Sequence, residues 1–401
     1  MKSRLLILPI VCGLSLASLL AAQRHTPPRA KVEKPMHVYS LGVANQWGAD
    51  LAPDGSAVAV AKLRRVAPEE TKKEEVFVEV EVWDFVAQKL LAQRTLSHRP
   101  ASASLTAEWG EVRYSGDGKV LLVYDGEILH VLRSATLDEI TRIDLGLPSW
   151  PRDSQVVDLV TPRDVSGELA ILLSWGGGRG GALRIYDLQT GTLRRQWEFD
   201  RGYPELGAHA VWRPDGRRVA VSLLPLVPGE EVPKEQPNVQ VMDAESGKVL
   251  ARFNAGYAAG PLCFTPKDTL ITATASPAWA LVFGRHKIKI WNATTGRLLR
   301  EIDSPPAGVR SSLAISADGK LLFGYTGAER ANTAPNASDS TLITEQRFRV
   351  WEVASGRVVA TSPKILPLGV KRPELRLSAK GDRVLVFWQD KNMPLVIYEV
   401  Q

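Results

Sequence analysis

The chain has 401 residues, 44% of them apolar, and a formal charge of +6. That is length and apolar content enough for a large core, while the charges are mixed in sign and form no basic face or stripe, which argues against a nucleic-acid partner. Gly (32) and Pro (26) punctuate the whole chain and no long amphipathic helical stretch occurs, so many short elements are expected.

The first element reads as an export signal. Lys2 and Arg4 form a basic start, and Leu5 to Ala22 is an 18-residue run without a charge. The run is longer than an ordinary signal core and near the shortest membrane span. Pro9, Ser15 and Ser18 weaken it as an anchor, and Ala21-Ala22 offers a cleavage site. The expectation is a signal peptide over 1–22, with an uncleaved signal anchor as the alternative. The protein is then exported, periplasmic or extracellular, and touches a membrane only through an uncleaved N-terminal segment. Cleavage removes Lys2 and Arg4 and no acid, taking +6 to +4. It also removes Cys12 and leaves Cys263 without a disulfide partner, so stability must come from the core. Cys263, in the apolar stretch Leu262-Cys263-Phe264, reads as a small buried hydrophobe. Residues 23–35, with Pro27-Pro28, Arg29, Lys31 and Lys34, read as an extended linker.

From residue 36 onward one pattern recurs. Short strands end in a bulky residue followed by a polar one in all but one copy where the follower is basic: Trp83-Asp84, Leu132-Arg133, Tyr186-Asp187, Met242-Asp243, Trp291-Asn292, Trp351-Glu352 and Tyr398-Glu399. Trp83 and Tyr398 lie 315 residues apart, six intervals averaging 52.5. A strand-rich repeat of that length is a solenoid or a propeller. A first turn precedes most copies: Pro53-Asp54-Gly55, Gly116-Asp117-Gly118, Pro214-Asp215-Gly216 and Ala317-Asp318-Gly319, with weaker forms at Pro266-Lys267-Asp268 and Ala379-Lys380-Gly381. The third unit is degenerate, with Pro162-Arg163-Asp164. A second turn follows the bulky residue at Thr190-Gly191, Ser246-Gly247, Thr295-Gly296 and Ser355-Gly356. Gly supplies positive φ, and Asp bonds its own local backbone. Val58-Ala59-Val60, Val120 to Val123, Val219-Ala220-Val221 and Val384 to Phe387 read as second strands buried on both faces. Third strands such as Val76 to Trp83 alternate, as half-buried strands do.

These turns, together with Ile290-Trp291-Asn292 and Arg349-Val350-Trp351-Glu352, resemble the WD40-repeat family of β-propellers, over about residues 38–400. The resemblance implies an all-β, seven-bladed propeller (WD40/YVTN-like, of a divergent bacterial exported type) spanning 36–401, with four-stranded blades around a channel. The Gly-His pair that opens each family repeat is absent almost throughout; His209 is the nearest approach, so the network built on that His is not expected. The seventh unit stops after its third strand. Met36 to Leu41 is an unassigned strand, and it is expected to supply the missing outer strand and close the ring.

Functional residues should lie in what does not repeat. The connections between second and third strands share a face with the loops entering each blade, and by resemblance this is the binding face. Blade 1 carries a charged loop from Leu63 to Glu75 with Arg64 and Arg65; blade 4 has Pro225 to Pro237; blade 6 has the small polar stretch Gly327 to Thr344. Blade 5 places Trp279, Phe283 and Arg285 in its connection, the residue types of interface hot spots. The run Trp175 to Gly181 lacks the Gly-Lys-Ser/Thr ending of a phosphate cradle and reads as a strand connection. The six His show no ligand spacing, and no Gly-x-Ser-x-Gly elbow occurs. The expected function is a monomeric, non-catalytic protein-binding or scaffold module, holding a protein or peptide on the loop-rich face through Arg64, Arg65, Trp279, Phe283 and Arg285, with no cofactor and no metal. The alternative is a lactonase-like or quinoprotein-like propeller using the channel, with Asp50, Glu108, Asp158, His209 and Arg310 at its entry. A third reading is a sensor propeller whose N-terminal segment stays in the membrane.

Overall fold

The computed structural model describes residues 36–43, 46–66, 75–100, 111–146, 154–164, 167–175, 180–199, 209–223, 237–256, 258–275, 287–304, 309–331, 341–363, 374–388 and 394–400. Pro35–Gln401 forms one compact unit. Its first strand is β1 (His37–Leu41). Blade 1 follows as β2 (Gln46–Leu51), β3 (Val58–Val66), β4 (Glu75–Asp84) and β5 (Lys89–Pro100). Blade 2 is β6 (Glu111–Tyr114), β7 (Val120–Tyr124), β8 (Ile128–Arg133) and β9 (Glu139–Asp144). Blade 3 is β10 (Ser154–Val160), β11 (Glu168–Trp175), β12 (Gly181–Asp187) and β13 (Leu193–Phe199). Blade 4 is β14 (Ala210–Trp212), β15 (Arg218–Ser222), β16 (Val239–Asp243) and β17 (Val249–Phe253). Blade 5 is β18 (Ala258–Phe264), β19 (Thr269–Ala275), β20 (Lys287–Asn292) and β21 (Leu298–Asp303). Blade 6 is β22 (Val309–Ile315), β23 (Leu321–Ala331), β24 (Thr341–Glu352) and β25 (Val358–Thr361). Blade 7 is β26 (Glu374–Leu377), β27 (Arg383–Phe387) and β28 (Leu395–Glu399). Its fourth strand is β1, in the order β1-β28-β27-β26.

The arrangement is the seven-bladed propeller that the repeat implied. Each of the seven sheets has four antiparallel strands, and successive blades meet through their first strands. The chain closes the ring with its own N-terminal strand: His37 lies opposite Glu399, and Leu41 opposite Leu395. The second strands are buried on both faces, as the valine runs predicted; Val58, Ala59, Val60, Val219, Ala220 and Val221 are 0% exposed. The core is a series of inter-blade layers. Between blades 1 and 2, for instance, Ala59, Ala61, Val80 and Val82 pack on Tyr114, Leu121 and Leu132.

The recurring turns have two separate physical jobs. First turns crowd around the axis and hydrogen-bond one another. The Ala379 amide donates to the Pro53 carbonyl (2.7 Å), the Ala317 amide to the Ala379 carbonyl (3.0 Å), and the Asp164 amide to the Pro214 carbonyl (2.9 Å). At Gly116 a Cβ would stand 2.4 Å from the backbone of Pro162 and Arg163, so only Gly permits the approach of blades 2 and 3. Second turns are set by a bulge. In blades 1 to 6 the pairing register shifts at the bulky residue itself, as at Val82/Trp83 and Ile290/Trp291. The polar residue after it then caps the turn: Asp84 Oδ1 accepts from the Val86 and Ala87 amides, and Asn292 Oδ1 from the Thr294 and Thr295 amides.

Two connections read as loops are partly strand. In blade 1, Leu63 to Val66 and Glu75 onward continue β3 and β4, with Val66 opposite Glu75. In blade 6, Gly327 to Ala331 and Thr341 to Thr344 lie within β23 and β24. The stretch Leu63-Arg64-Arg65-Val66 lacks the alternating apolar pattern that marks a strand, yet its backbone pairs with β4 throughout. The alternation expected of β4 is also incomplete, since Glu79 and Glu81 are as buried as the valines between them.

Candidate functional site

In six of the seven repeats the first strand carries a comparable position four residues before the turn residue. It holds Asp50, Arg113 and Arg376 in blades 1, 2 and 7, and Val211, Cys263 and Ala314 in blades 4, 5 and 6. The last three pack into the apolar layers between blades, while the first three are charged. The cysteine is buried as expected, and burial pushes its thiol up to about 12.

The charged side chains form a network of ions. Arg113 Nη2 pairs with Glu111 (2.8 Å) and approaches Asp158 (3.9 Å). Arg376 pairs with Glu374 and approaches Asp50 (3.7 Å). Asp158 also faces His209 Nδ1 at 3.6 Å. Two of the carboxylates stitch adjacent blades together: Asp50 Oδ2 accepts from the Tyr114 amide (2.7 Å) and Asp158 Oδ2 from the Ala210 amide (3.2 Å). These amides lie on the open inner edges of their blades and would otherwise be unpaired. Burial raises the Asp50 carboxyl against the pull of Arg113, Arg376 and two amides. Burial pushes Glu111 up to about 7; Arg113 opposes this and Glu374 adds to it. For Glu374, Arg376 and Arg113 outweigh burial and hold it low. Of this facing pair Glu374 keeps the charge and Glu111 takes the proton.

At the turn end of the channel Arg163, from blade 3, reaches across the axis. Its Nη2 donates to the Ile315 carbonyl of blade 6 (3.1 Å), while Nη1 is buried without a hydrogen-bond partner among the described residues. Burial lowers its pKa, opposed by Asp164 and Cys263. Arg163 thus braces the collar of turns from inside, at the position that other repeats give to the turn Asp.

On the opposite face, blade 1 stands out. Its β3, β4 and β5 are 9, 10 and 12 residues long, against 5, 6 and 6 for the equivalent strands of blade 2. Two cross-strand ion pairs stiffen the extension: Lys62 with Glu81 (2.7 Å) and Arg64 Nε with Glu79 (2.6 Å). Glu81 also accepts from Trp83 Nε1 (2.9 Å). The Arg64 guanidinium lies over the Phe77 ring, 4.4 Å from its centre, with its side chain 50% exposed. Arg65 stands on the other face of β3, opposite Val76.

Of the residues singled out from sequence, Arg64 and Arg65 are neighbours on one projecting strand. Trp279, Phe283 and Arg285 lie outside the described residues. Among the channel candidates, Asp50, Asp158 and His209 share the ionic network, Glu108 lies outside the described residues, and Arg310 is placed in β22 by its backbone. Sequence reasoning missed Glu111, Arg113, Glu374, Arg376 and Arg163. The signal was present: these residues stand at fixed offsets before turns, or in place of a turn residue. Among the described residues no three or more His, Cys, Asp or Glu side chains are grouped to hold a metal ion. One histidine-centred network occurs among them, in blade 2, where His130 of β8 lies 3.3 Å from Asp125 and 3.1 Å from Glu139.

No protein-family profile matches the chain, and no curated protein matches it. Solved structures do. A chain of the structure described as "Crystal Structure of Mitotic Checkpoint Complex" superposes with a TM-score of 0.58 at 16% identity, covering 95% of this chain and 98% of that chain. The fold is that of a WD40-like propeller. Identity this low carries architecture and nothing of activity, so what the WD40-like propeller does rests on its own residues. Its described channel residues include an ionic network, and blades 1 and 6 carry extended second and third strands.

Proposed function

We propose that this chain is a non-catalytic, exported binding propeller that holds a protein or peptide partner on its loop-bearing face. The observation that carries the reading is the asymmetry between faces. On the turn face the described blades repeat the same short, capped turns. On the other face blade 1 projects a three-stranded sheet braced by buried carboxylates. A rigid platform with an exposed arginine stacked on an aromatic ring suits protein recognition, because little conformational entropy is lost on binding. The similar chain from a mitotic checkpoint complex supports the reading in kind, since that protein sits in a protein assembly. Export, to the periplasm or beyond the cell, follows from Leu5 to Ala22, and the basic, proline-bearing stretch 23–35 then tethers or precedes the disc.

Affinity capture on the full chain, followed by cross-linking and mass spectrometry, tests this. Cross-links should fall on blade 1 and neighbouring connections of the loop-bearing face. Cross-links confined to the turn face would overturn it. A channel enzyme is the second reading, and one observation favours it: Glu111, held near neutrality, is suited to proton transfer. Against it, Asp50 and Asp158 are spent on backbone amides and both arginines on carboxylates.

A further inference from the structure

Among the described residues the exposed large apolar side chains, all but Leu193, lie in four consecutive blades. The pairs Leu298-Leu299, Val358-Val359 and Leu90-Leu91 stand in blades 5, 6 and 1, with Val38 in blade 7 between them. The first strands of blades 5, 6, 7 and 1 touch in that order around the ring. Each pair opens an outer strand just after the second turn, so the pairs stand at one level, on the rim of the turn face. Val38 joins them from β1, because His37 lies opposite Glu399, where the other blades have their second turn. The same positions of blades 2 and 4 hold Glu139-Ile140 and Val249-Leu250, all half-buried, and blade 3 has Leu193-Arg194. The arc is also continuous. Ile302 of blade 5 covers Gly356 of blade 6, Ala360 of blade 6 packs in one layer with Met36 and Val400, and Tyr39 of blade 7 packs on Phe85 of blade 1. An exposed cation precedes each pair: Lys89, Arg297 and Arg357, the last 3.6 Å from Glu352. Aliphatic pairs beside cations suit a lipid surface, where the apolar groups enter the acyl boundary and the cations meet anionic headgroups.

The point where the chain enters the ring names the occupant. It enters at His37, on this rim and inside this arc. Ahead of that point, residues 23–35 carry Arg24, Arg29, Lys31 and Lys34 against one acid, Glu33, and the uncharged run Leu5 to Ala22 precedes them. Those 13 residues span at most about 45 Å when fully extended. A bilayer that holds the run is therefore within reach of the arc, and the basic stretch favours anionic lipid. We propose that the turn-face rim of blades 5, 6, 7 and 1 rests on an anionic lipid bilayer, with Leu5 to Ala22 retained as the anchor. The loop-bearing face is then turned toward the aqueous side. The inference goes beyond the binding reading, since it concerns a separate surface and a different ligand.

The test uses the full chain reconstituted in vesicles of phosphatidylcholine and phosphatidylglycerol, some of the lipid carrying a nitroxide near the headgroup. Cys12→Ser removes a competing thiol, and Cys263 is buried, so a fluorophore can be placed on single introduced cysteines. Leu91→Cys, Leu299→Cys and Val359→Cys report on the arc, and Leu193→Cys on the same rim at blade 3. Quenching by the nitroxide lipid should be at least twofold stronger at each arc position than at Leu193. Adding Leu299→Glu and Val359→Glu, both exposed positions, should at least halve the quenching at Leu91→Cys while leaving the melting temperature unchanged. Replacing phosphatidylglycerol by phosphatidylcholine should weaken quenching across the arc. Equal quenching at Leu193 and the arc, or no response to the Glu substitutions, overturns the proposal. So does cross-linking between arc labels of two copies in place of quenching, or a native chain whose mass shows that residues 1–22 have been removed. Partner cross-links to the loop-bearing face are read without vesicles, so this inference and the binding reading can each fail alone.

Discussion

Gln88 and Leu137 hold the left-handed backbone position, at φ 51° and 60°, that Gly191, Gly247, Gly296 and Gly356 hold in blades 3 to 6. Leu137 is buried in the layer between blades 1 and 2, which compensates the strain. Gln88 is exposed and gains nothing from its side chain. Gln88→Gly should therefore stabilise the chain by about 0.5–1 kcal/mol, relief of the left-handed cost less the added freedom of the unfolded chain, read from urea denaturation. Glu111 makes a second residue-scale case. Its carboxyl rises from 4.5 to about 7, through burial first and Glu374 after it, so the folded chain binds this proton more tightly than the unfolded chain. The stability it contributes is complete below pH 4.5 and is lost as pH climbs to 7. In Glu111→Gln the decline of melting temperature across that window should be shallower than in the parent; an identical slope would remove Glu111 from the account.

Among the elements, the outer strands show how neighbouring blades lock. An outer-strand side chain of one blade covers the second-turn glycine of the next: Trp197 over Gly247, Phe253 over Gly296, Ile302 over Gly356. The contact needs a residue without Cβ at positive φ, which explains why these turns carry Gly. At Gly247 an added Cβ would stand 1.6 Å from Trp197 Nε1, with φ at +69°. Gly247→Ala should cost about 3 kcal/mol, the left-handed strain plus displacement of the indole, seen as a lower urea midpoint. The same change at Gly42, where a Cβ meets nothing within 4 Å, should cost less than about 1 kcal/mol.

For the whole molecule, closure depends on β1. Leu41 is buried between blades 7 and 1 with Val43, Phe387 and Ile397, and Tyr39 packs edge-on against Phe85 at 5.4 Å. Deleting residues 36–42 exposes the β28 edge and opens that layer. The loss should be about 4–6 kcal/mol, from two or three buried side chains and a strand's pairing, and calorimetry should show the main transition well below that of the parent. A transition at the parent temperature would mean that the ring holds without its closing strand.

The repeat, its phase and the closing strand were legible in the amino-acid order, because turn chemistry and strand burial are local demands that recur in every blade. Asp54-Gly55, Trp291-Asn292 and the valine runs each state their role within a few residues. The channel network was not legible in the same way. Glu111, Arg113, Asp158, Glu374 and Arg376 belong to blades 2, 3 and 7, and only ring closure makes them neighbours. Arg163 reads as a spoiled turn until Ile315 is found across the axis. The Leu63–Val66 stretch reads as a charged loop until its backbone is seen paired to β4, with Arg64 resting on Phe77 and Glu79. Sequence by itself determined what each blade is; the tertiary structure decided which charges meet, since that depends on residues far apart in the chain.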